Sequence, residues 1–379
     1  MAKKIKVLID VFYYQAALSG IRTYINELVL GAQNSQTTEI DYRFSHDLNK
    51  WQQDHKFLNP KRRLFRWRFH LYYFLWKQLL LPIKILKDKP DIIICPDFVA
   101  PFWRLKTHKL CVIHDSLFWD YPKNYNALWR KYYVTLIKLG LSGNSTIITT
   151  SNHAKKKLEK LALGPKPIAV IFQSFLKSEK KDASILSRLD LKNTDYLLHV
   201  GSFDKRKDLI SLVKAFKLLK DAVKNKDLKL VLAGQKMLNG NVKIISEIEA
   251  YILQYKLSND ILMPGYLTNE AIQSLYENAF LYVFPSVEEG FGIPILEAFA
   301  MRVPVVASDA GALREIGGGA VMHFKAGDFV ALSQTIQKLL DSETERLLLI
   351  EKGNERLKAF SREKFIEDYE RLILKISNN

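Results

Sequence analysis

Two hydrophobic patterns alternate along the chain, one typical of buried strands and the other of amphipathic helices. The first half contains four short apolar runs that end in polar residues: IKVLID, DIIICP, LCVIHDS and STIITT (5–10, 91–96, 110–116 and 145–150). Between them lie stretches such as IRTYINELVLGA (21–32), whose apolar residues recur with helical spacing. This alternation predicts βαβ units around a parallel sheet.

The second half begins the same pattern again. YLLHVGS (196–202) and LKLVLAG (228–234) read as buried strands that end in glycine. The stretch from Phe284 to Gly311 reads as a strand end, a loop, a helix and a second apolar strand. We predict that this helix begins near Gly292, because Pro294 suits a first turn, where its missing N–H leaves no bond unmade.

Size and composition favour a two-domain protein. The chain has 379 residues and 48% apolar residues, which exceeds the usual size of one core and excludes a disordered chain. Cys95 and Cys111 are the two cysteines and form no CxxC pair. With no secretory signal at the start, we expect a reducing, cytoplasmic location.

The positive charge is concentrated in the first half. Residues 1–175 carry 28 Lys/Arg against 12 Asp/Glu, whereas residues 176–379 carry 29 against 28. A field of this sign attracts an anionic partner: a membrane, a lipid pyrophosphate or a nucleic acid.

Residues 56–90 interleave Arg and Lys with Phe, Trp and Tyr, and Asp88 is their one acidic residue. Lys77, Pro82 and Lys84 interrupt the apolar run, which excludes a membrane span. Two interpretations stay open: a segment that binds an anionic membrane surface, and a core helix with a solvated basic face.

The loop after Phe284 carries the strongest candidate chemistry. Glu289 and Glu297 lie eight residues apart, and Gly290 and Gly292 between them allow the backbone to approach a ligand closely. The free N–H groups of a helix start favour an anion, and the two carboxylates would accept hydrogen bonds from hydroxyls on either side of it. A phosphate flanked by hydroxyls is the layout of a nucleotide sugar.

Three further loops follow predicted strands or precede a helix. Gly201 opens a basic turn that contains Arg206 and Lys207, two cations suited to phosphate oxygens. His114 ends the strand LCVIHDS, where ligands bind in parallel sheets, although a structural histidine is also compatible. Gly20 lies at the start of the first helix, where an ordinary helix cap is the alternative.

These motifs, in this order, resemble the retaining GT-B glycosyltransferases with the E-x7-E signature, a family 4-like group that includes mannosyl- and glucosyltransferases. The resemblance implies an α/β fold of two Rossmann-like domains whose parallel sheets face a central cleft. It implies an acceptor-binding domain at 1–174, a nucleotide-sugar-binding domain at 175–357, and a last helix, about 358–379, that packs back on the first domain.

The resemblance also implies residue roles. Glu289 and the backbone of Gly290, Phe291, Gly292 and Ile293 would hold the donor sugar, and Glu297 the nucleotide ribose. Arg206 and Lys207, beside Gly201, would hold the diphosphate. His114 and Gly20 would lie near the transferred sugar.

The predicted function is metal-independent, retaining transfer of a hexose from a GDP- or UDP-linked sugar to a hydroxyl of a lipid-linked or surface-polysaccharide acceptor. Segment 56–90 would place the enzyme on the inner face of the cell membrane. Two alternatives stay open: another GT-B chemistry, such as a nucleotide-sugar epimerase or a phosphorylase, and a basic protein that binds nucleic acid.

Overall fold

A computed structural model describes residues 3–17, 20–48, 63–175, 180–222, 227–234 and 242–378. The chain divides into two compact units. The first consists of Met1–Phe175 and Phe360–Asn379, and the second of Leu176–Ala359. Each is an α/β unit built on one parallel sheet, which confirms the predicted fold class.

The first unit has six parallel strands in the order β2-β1-β3-β4-β5-β6. These strands are β1 Ile5–Ile9, β2 Ile40–Phe44, β3 Ile92–Cys95, β4 His108–Val112, β5 Ser145–Thr149 and β6 Ile168–Val170. Its helices before residue 175 are α1 Gly20–Asn34, α2 Arg63–Leu75, α3 Leu81–Asp88, α4 Leu117–Asp120, α5 Ala127–Gly140 and α6 Asn152–Glu159. The strand order reverses between β1 and β3, and the loops after these strands therefore diverge at that point.

The second unit repeats this design with the order β12-β11-β10-β7-β8-β9. Its strands are β7 Tyr196–Val200, β8 Lys229–Ala233, β9 Ile261–Gly265, β10 Leu281–Phe284, β11 Val305–Ser308 and β12 Val321–Phe324. Its helices are α7 Ser184–Arg188, α8 Leu209–Ala222, α9 Val242–Gln254, α10 Asn269–Glu277, α11 Ile293–Ala300, α12 Leu313–Gly317, α13 Phe329–Asp341 and α14 Glu343–Leu357. Here the order reverses between β7 and β10.

The last helix, α15 Arg362–Ser377, packs on α1 inside the first unit. Arg362 donates two hydrogen bonds, of 2.9 and 3.0 Å, to the buried carboxylate of Glu27. The hydroxyls of Tyr24 and Tyr369 lie 2.5 Å apart. Polar contacts at two points along the helix pair thus fix the position of α15 within the first unit.

The aromatic-basic segment packs one face into the core of the first unit. Trp76–Leu80 is a π-helical turn between α2 and α3, and Tyr73, Trp76, Lys77, Leu81 and Ile85 are buried. A π turn contains more residues than an α turn, so it keeps residues that repeat every four positions on one side of the helix. Residues 56–62 of the segment lie outside the described residues.

Lys77 joins this helix to the sheet through a buried ion cluster. Its ammonium lies 2.7 Å from a carboxylate oxygen of Asp10 and 2.5 Å from one of Asp97. Asp10 follows β1 and Asp97 follows β3, so the lysine bridges the two loops at the point where the strand order reverses. Tyr73 donates a hydrogen bond to Asp97, and Trp76 donates one to Asp10.

The opposite face of the segment is apolar and exposed. Leu71, Leu75, Leu79, Ile83 and Leu86 lie on it, with Ile83 60% exposed and Leu86 65% exposed. The aromatic residues Tyr73 and Trp76 therefore belong to the core, whereas these five aliphatic residues face outward. Among the described residues, no helix combines the length and the apolar character needed to cross a membrane.

We predict that Lys77→Met lowers the free energy of unfolding by about 3–5 kcal/mol, because it leaves two buried carboxylates without their cation. Urea denaturation measures the loss. Lys84→Met is the matched control: Lys84 pairs with Asp88 on the same helix but is one-third exposed, so we expect a loss of about 0.3–0.5 kcal/mol. Equal stability of the two variants would contradict the role assigned to the cluster.

Candidate functional site

The site in the second unit is built from two loops, which follow β7 and β10. These are the strands between which the sheet order reverses, and ligands bind at such points in parallel sheets. The backbone N–H of Val287 donates a 2.7 Å hydrogen bond to the carbonyl of Arg206. The Arg206 guanidinium donates to the carbonyl of Glu288 at 3.3 Å. The two loops are therefore held as one surface.

Lys207 and Glu289 form the ionic centre of this surface. The Lys207 ammonium lies 2.6 Å from Oε1 of Glu289, and the two side chains are 11% and 13% exposed. The same ammonium lies 4.7 Å from the centre of the Phe284 ring, a cation–π distance. Burial raises the pKa of Glu289, but the charges of Lys207 and Arg206 outweigh it and hold the pKa below its usual range. Glu289 is therefore ionised at neutral pH.

A third loop fixes the backbone of Glu289. Ala312 donates a 3.0 Å hydrogen bond to the Glu289 carbonyl. Gly311 has a φ of +61°, and a Cβ there would lie 2.6 Å from the Glu289 backbone nitrogen. Glycine is required at position 311 because its φ is positive and because a Cβ would collide with the backbone of Glu289.

The helix α11 begins beside Glu289, as the sequence predicts. Gly292 precedes it with a φ of +119°, and Pro294 lies in its first turn. Glu297 follows one turn later, where Tyr276 of α10 donates a 3.2 Å hydrogen bond to its Oε2. Burial raises the pKa of Glu297 to about 7, and the bond from Tyr276 opposes the rise. The two glutamates thus differ in charge at neutral pH: Glu289 is ionised and Glu297 is half protonated.

Gly201 packs directly against the neighbouring strand end. A Cβ at Gly234 would lie 1.7 Å from the carbonyl oxygen of Gly201, so the two backbones touch. This contact places the basic turn from 205 to 207 close to the sheet. Asp204 caps that turn by accepting a 2.9 Å hydrogen bond from the Arg206 backbone.

Sequence reasoning missed two residues of this surface. His199 is fully buried under the turn, and its Nδ1 donates a 3.0 Å hydrogen bond to the carbonyl of Val283. Tyr276 reaches Glu297 from a separate helix. In the sequence, His199 is part of a strand pattern and Tyr276 is part of a helical pattern. Neither pattern indicates a functional role, because the contacts of both residues depend on how the elements pack.

The other candidates lie in the first unit. His114 follows β4, and its Nε2 lies 2.7 Å from the carbonyl oxygen of Pro96. Gly20 is the first residue of α1, and Ser19 before it lies outside the described residues. Arg22, in the same turn as Gly20, lies 4.6 Å from the centre of the Tyr14 ring.

Gly201, Arg206, Lys207, Glu289 and the start of α11 thus form one surface in the second unit. His114 and Gly20 belong to the first unit and are described there alone. Over the part of the chain that the structure describes, no three His, Cys, Asp or Glu side chains are grouped as a metal site.

Comparison with known proteins finds similar glycosyltransferases. Residues 181–356 match the model of "Glycosyl transferases group 1". The O-antigen chain mannosyltransferase B of Escherichia coli is 27% identical over 283 residues, which are 73% of this chain and 72% of that protein. The O-antigen chain mannosyltransferase RfbU of Salmonella typhimurium is 23% identical over 268 residues, or 70% and 69% of the two chains.

Solved structures share the whole fold. Sucrose-phosphate synthase from Thermosynechococcus elongatus superposes with a TM-score of 0.73 at 20% identity, over 99% of this chain and 100% of that one. Anabaena HepE, solved in complex with UDP and glucose, gives a TM-score of 0.69 at 16% identity, over 99% and 100%. The matched family occupies the unit that carries the site described above. The protein is therefore a glycosyltransferase of the GT-B fold, and residues 181–356 of its second unit match the glycosyl transferases group 1 family.

Proposed function

We propose that this protein transfers a hexose, of mannose or glucose type, from a nucleoside-diphosphate sugar to a hydroxyl of a lipid-linked or surface-polysaccharide acceptor, with retention of configuration. The observation that carries the proposal is the Lys207–Glu289 pair beside Arg206 and the start of α11. The names of the relatives support mannosyl transfer, and HepE supports UDP as one nucleotide that this fold binds. GDP and UDP are both candidate nucleotides of the donor.

Each part of the donor has a chemical counterpart in the second unit. The diphosphate would lie against Arg206, Lys207 and the start of α11, which carries a partial positive charge. Ribose hydroxyls would donate to Glu297. Sugar hydroxyls would donate to the Glu289 carboxylate, of which Oε1 also accepts a hydrogen bond from Lys207.

The two cations would act mainly on the leaving group. As the bond between the sugar and the diphosphate breaks, negative charge grows on the phosphate oxygens, and fixed cations stabilise this charge without reorganising. This electrostatic role requires no metal ion. In a retaining reaction of this kind, the phosphate of the leaving group would take the proton of the acceptor hydroxyl, so no side chain need serve as a general base.

Lys207→Met should lower kcat/KM for transfer by roughly 100- to 1000-fold, the usual loss when one transition-state donor is removed. Transfer of radiolabelled sugar to the acceptor polysaccharide measures the effect. Lys205→Met is the control, because Lys205 belongs to the same turn but is exposed. Wild-type turnover in the Lys207 variant would refute the site, and equal losses in both variants would point to damage to the turn.

Donor affinity should depend on pH through Glu297. Its pKa of about 7 means that the carboxylate form, which would accept hydrogen bonds from the ribose, predominates above pH 7 and is lost as the pH falls below 7. The dissociation constant should then rise about tenfold for each pH unit below 7. Nearby His199, with its pKa lowered to about 4, and Glu289, with its pKa lowered, do not titrate between pH 5.5 and 8.

Calorimetric titration with the nucleotide sugar across this pH range measures the dependence. Glu297→Gln should bind more weakly and with no pH dependence. An equally flat profile in the wild-type protein would show that Glu297 does not hold the ribose.

We also propose that the exposed apolar face of α2, the π turn and α3 lies on an anionic membrane that carries the acceptor. Helix α5 extends this face. Its Tyr132 ring contacts the Phe74 ring of α2, and the side chains of Leu128, Tyr132 and Leu139 on α5 are exposed. Exposed cations accompany both helices: Arg68, Lys87, Lys131 and Lys138. Aliphatic side chains interspersed with cations fit the boundary between acyl chains and anionic headgroups.

The double variant Leu79→Glu with Ile83→Glu should weaken vesicle binding by roughly 100-fold or more, because each buried aliphatic side chain contributes about 1.5–3 kcal/mol. Co-flotation with phosphatidylcholine vesicles, with and without phosphatidylglycerol, measures it. Leu253→Glu, at an exposed leucine of the second unit, is the control. If the wild-type protein binds neither kind of vesicle, the proposal that this face lies on a membrane is wrong.

A further inference from the structure

His199 continues the hydrogen bonding of the second sheet where its two central strands diverge. The pairing of β7 with β10 runs as far as Leu198 and Tyr282. The next carbonyl oxygen of β10, that of Val283, lies 3.0 Å from Nδ1 of the fully buried His199 ring. A carbonyl oxygen can only accept a hydrogen bond, so Nδ1 carries a proton. The imidazole thus joins the two strands at the point where the sheet order reverses.

The other nitrogen of this ring is a buried hydrogen-bond acceptor. Burial lowers the pKa of His199 to about 4, although the bond to Val283 opposes the shift, so the ring is neutral at pH 7. With the proton on Nδ1, Nε2 carries a lone pair. Over the residues that the structure describes, no donor lies within hydrogen-bond distance of this nitrogen. Buried polar atoms are rarely left in this condition, and a donor that moves when a ligand binds would account for it.

Lys207 passes beside this lone pair. A Cβ at Gly201 would lie 3.1 Å from Nε2 of His199 and 3.6 Å from Cε of Lys207, so both atoms border the same point. The Lys207 ammonium lies 4.7 Å from the centre of the Phe284 ring, which is itself 6.1 Å from the centre of the His199 ring. An ammonium has three N–H groups, and Glu289 accepts one of them in this structure. Rotation about the last bonds of the lysine side chain would turn its ammonium from Glu289 towards Nε2.

We infer that His199 is a positioning residue for Lys207: its Nε2 accepts a hydrogen bond from the lysine ammonium when a diphosphate occupies the site. The inference rests on the proposed function for the presence of that diphosphate. The phosphate charge would draw the ammonium away from Glu289, and Nε2 would replace the carboxylate as the acceptor that fixes it. Oε1 of Glu289 would then accept a hydroxyl of the donor sugar. Lys207 would thus exchange one buried acceptor for another as the donor binds.

The alternative is that His199 serves the sheet alone. In that case its bond to Val283 is its whole role, and activity should follow stability. Two variants separate the roles of the two nitrogens. In His199→Asn, the amide nitrogen can take the place of Nδ1, but no acceptor reaches the position of Nε2. In His199→Gln, an amide oxygen can take the place of Nε2, but the bond to Val283 is lost.

The kinetic test compares sugar transfer by these variants. His199→Asn should keep most of its thermal stability and lower kcat/KM roughly 10- to 100-fold, because a hydrogen bond to a charged group is lost. His199→Gln should be less stable and more active than His199→Asn. In the Lys207→Met background, His199→Asn should change kcat/KM by less than about twofold, because the donor to Nε2 is already gone. Activity that follows stability, or equal fold losses with and without Lys207, would overturn the inference.

Nuclear magnetic resonance of the full chain with ¹⁵N-labelled histidine reports the same contact without turnover. The His199 signals, assigned by their loss in His199→Asn, should show a protonated Nδ1 and an unprotonated Nε2 at pH 7. Inorganic pyrophosphate, at a concentration that calorimetry shows to be saturating, should shift the Nε2 resonance towards that of a hydrogen-bonded nitrogen. In Lys207→Met, saturating pyrophosphate should leave this resonance unchanged.

His323 is the control for both measurements. Like His199, it is the penultimate residue of a strand of the second sheet, and its Nδ1 lies 3.1 Å from a carbonyl oxygen, that of Ser308. Its resonances should not move with pyrophosphate, and His323→Asn should transfer sugar as the wild-type protein does.

Two kinds of failure can be told apart. A proton on Nε2 in the ligand-free protein, or an unmoved Nε2 resonance while calorimetry shows pyrophosphate bound, would overturn the role of His199 and leave the proposed function standing. If pyrophosphate, UDP and GDP all fail to bind, the diphosphate site itself is wrong, and both proposals fall with it.

Discussion

The ion pair between Lys207 and Glu289 joins the loops on which the whole candidate site depends. Each residue follows a different strand, and the two strands are neighbours only because the sheet order reverses between them. The pair brings a cation and a carboxylate to the same edge, with about a tenth of each side chain left exposed. A pair that is buried yet still reached by solvent can exchange part of its bonding for a ligand, because its charges are already largely desolvated.

The first unit places a comparable cluster at the corresponding point of its own sheet and closes it. Asp10 and Asp97 follow the two strands between which that order reverses, and Lys77 enters from a helix to satisfy both. The side chains there are at most 1% exposed. One reversal point is thus filled by the protein's own helix, whereas the other keeps its cation within reach of solvent. We attribute the position of the candidate donor site, at the reversal point of the second sheet, to this difference.

Much of this arrangement could be predicted from the sequence, because it depends on local pattern. Apolar runs, the glycine after β7, and the helix start at Gly292 and Pro294 specify the parallel α/β units and the position of both glutamates. The sequence left open which face of residues 56–90 packs inward. Tyr73 and Trp76 lie in the core because Lys77 must reach two carboxylates 67 and 20 residues away in the chain, which no local pattern records.

The same limit explains the residues that sequence reasoning missed. His199 and Tyr276 act through partners on other elements. Gly311 carried a glycine signal, but its reason, the backbone of Glu289 pressed against it, is a tertiary contact. Strand and loop chemistry can thus be predicted from the order of residues, whereas orientation and protonation need the packed structure.

The measurement that tests the central claim most directly is a thermal-shift titration with UDP, GDP and ADP and their sugars. A ligand at 100 times its dissociation constant adds about 2.7 kcal/mol to stability. For units of this size, the midpoint should rise by roughly 5–10 °C with the nucleotide that the second unit binds. A shift with one nucleotide alone, lost in Lys207→Met, is the result that the account predicts. No shift with any nucleotide or nucleotide sugar would contradict it.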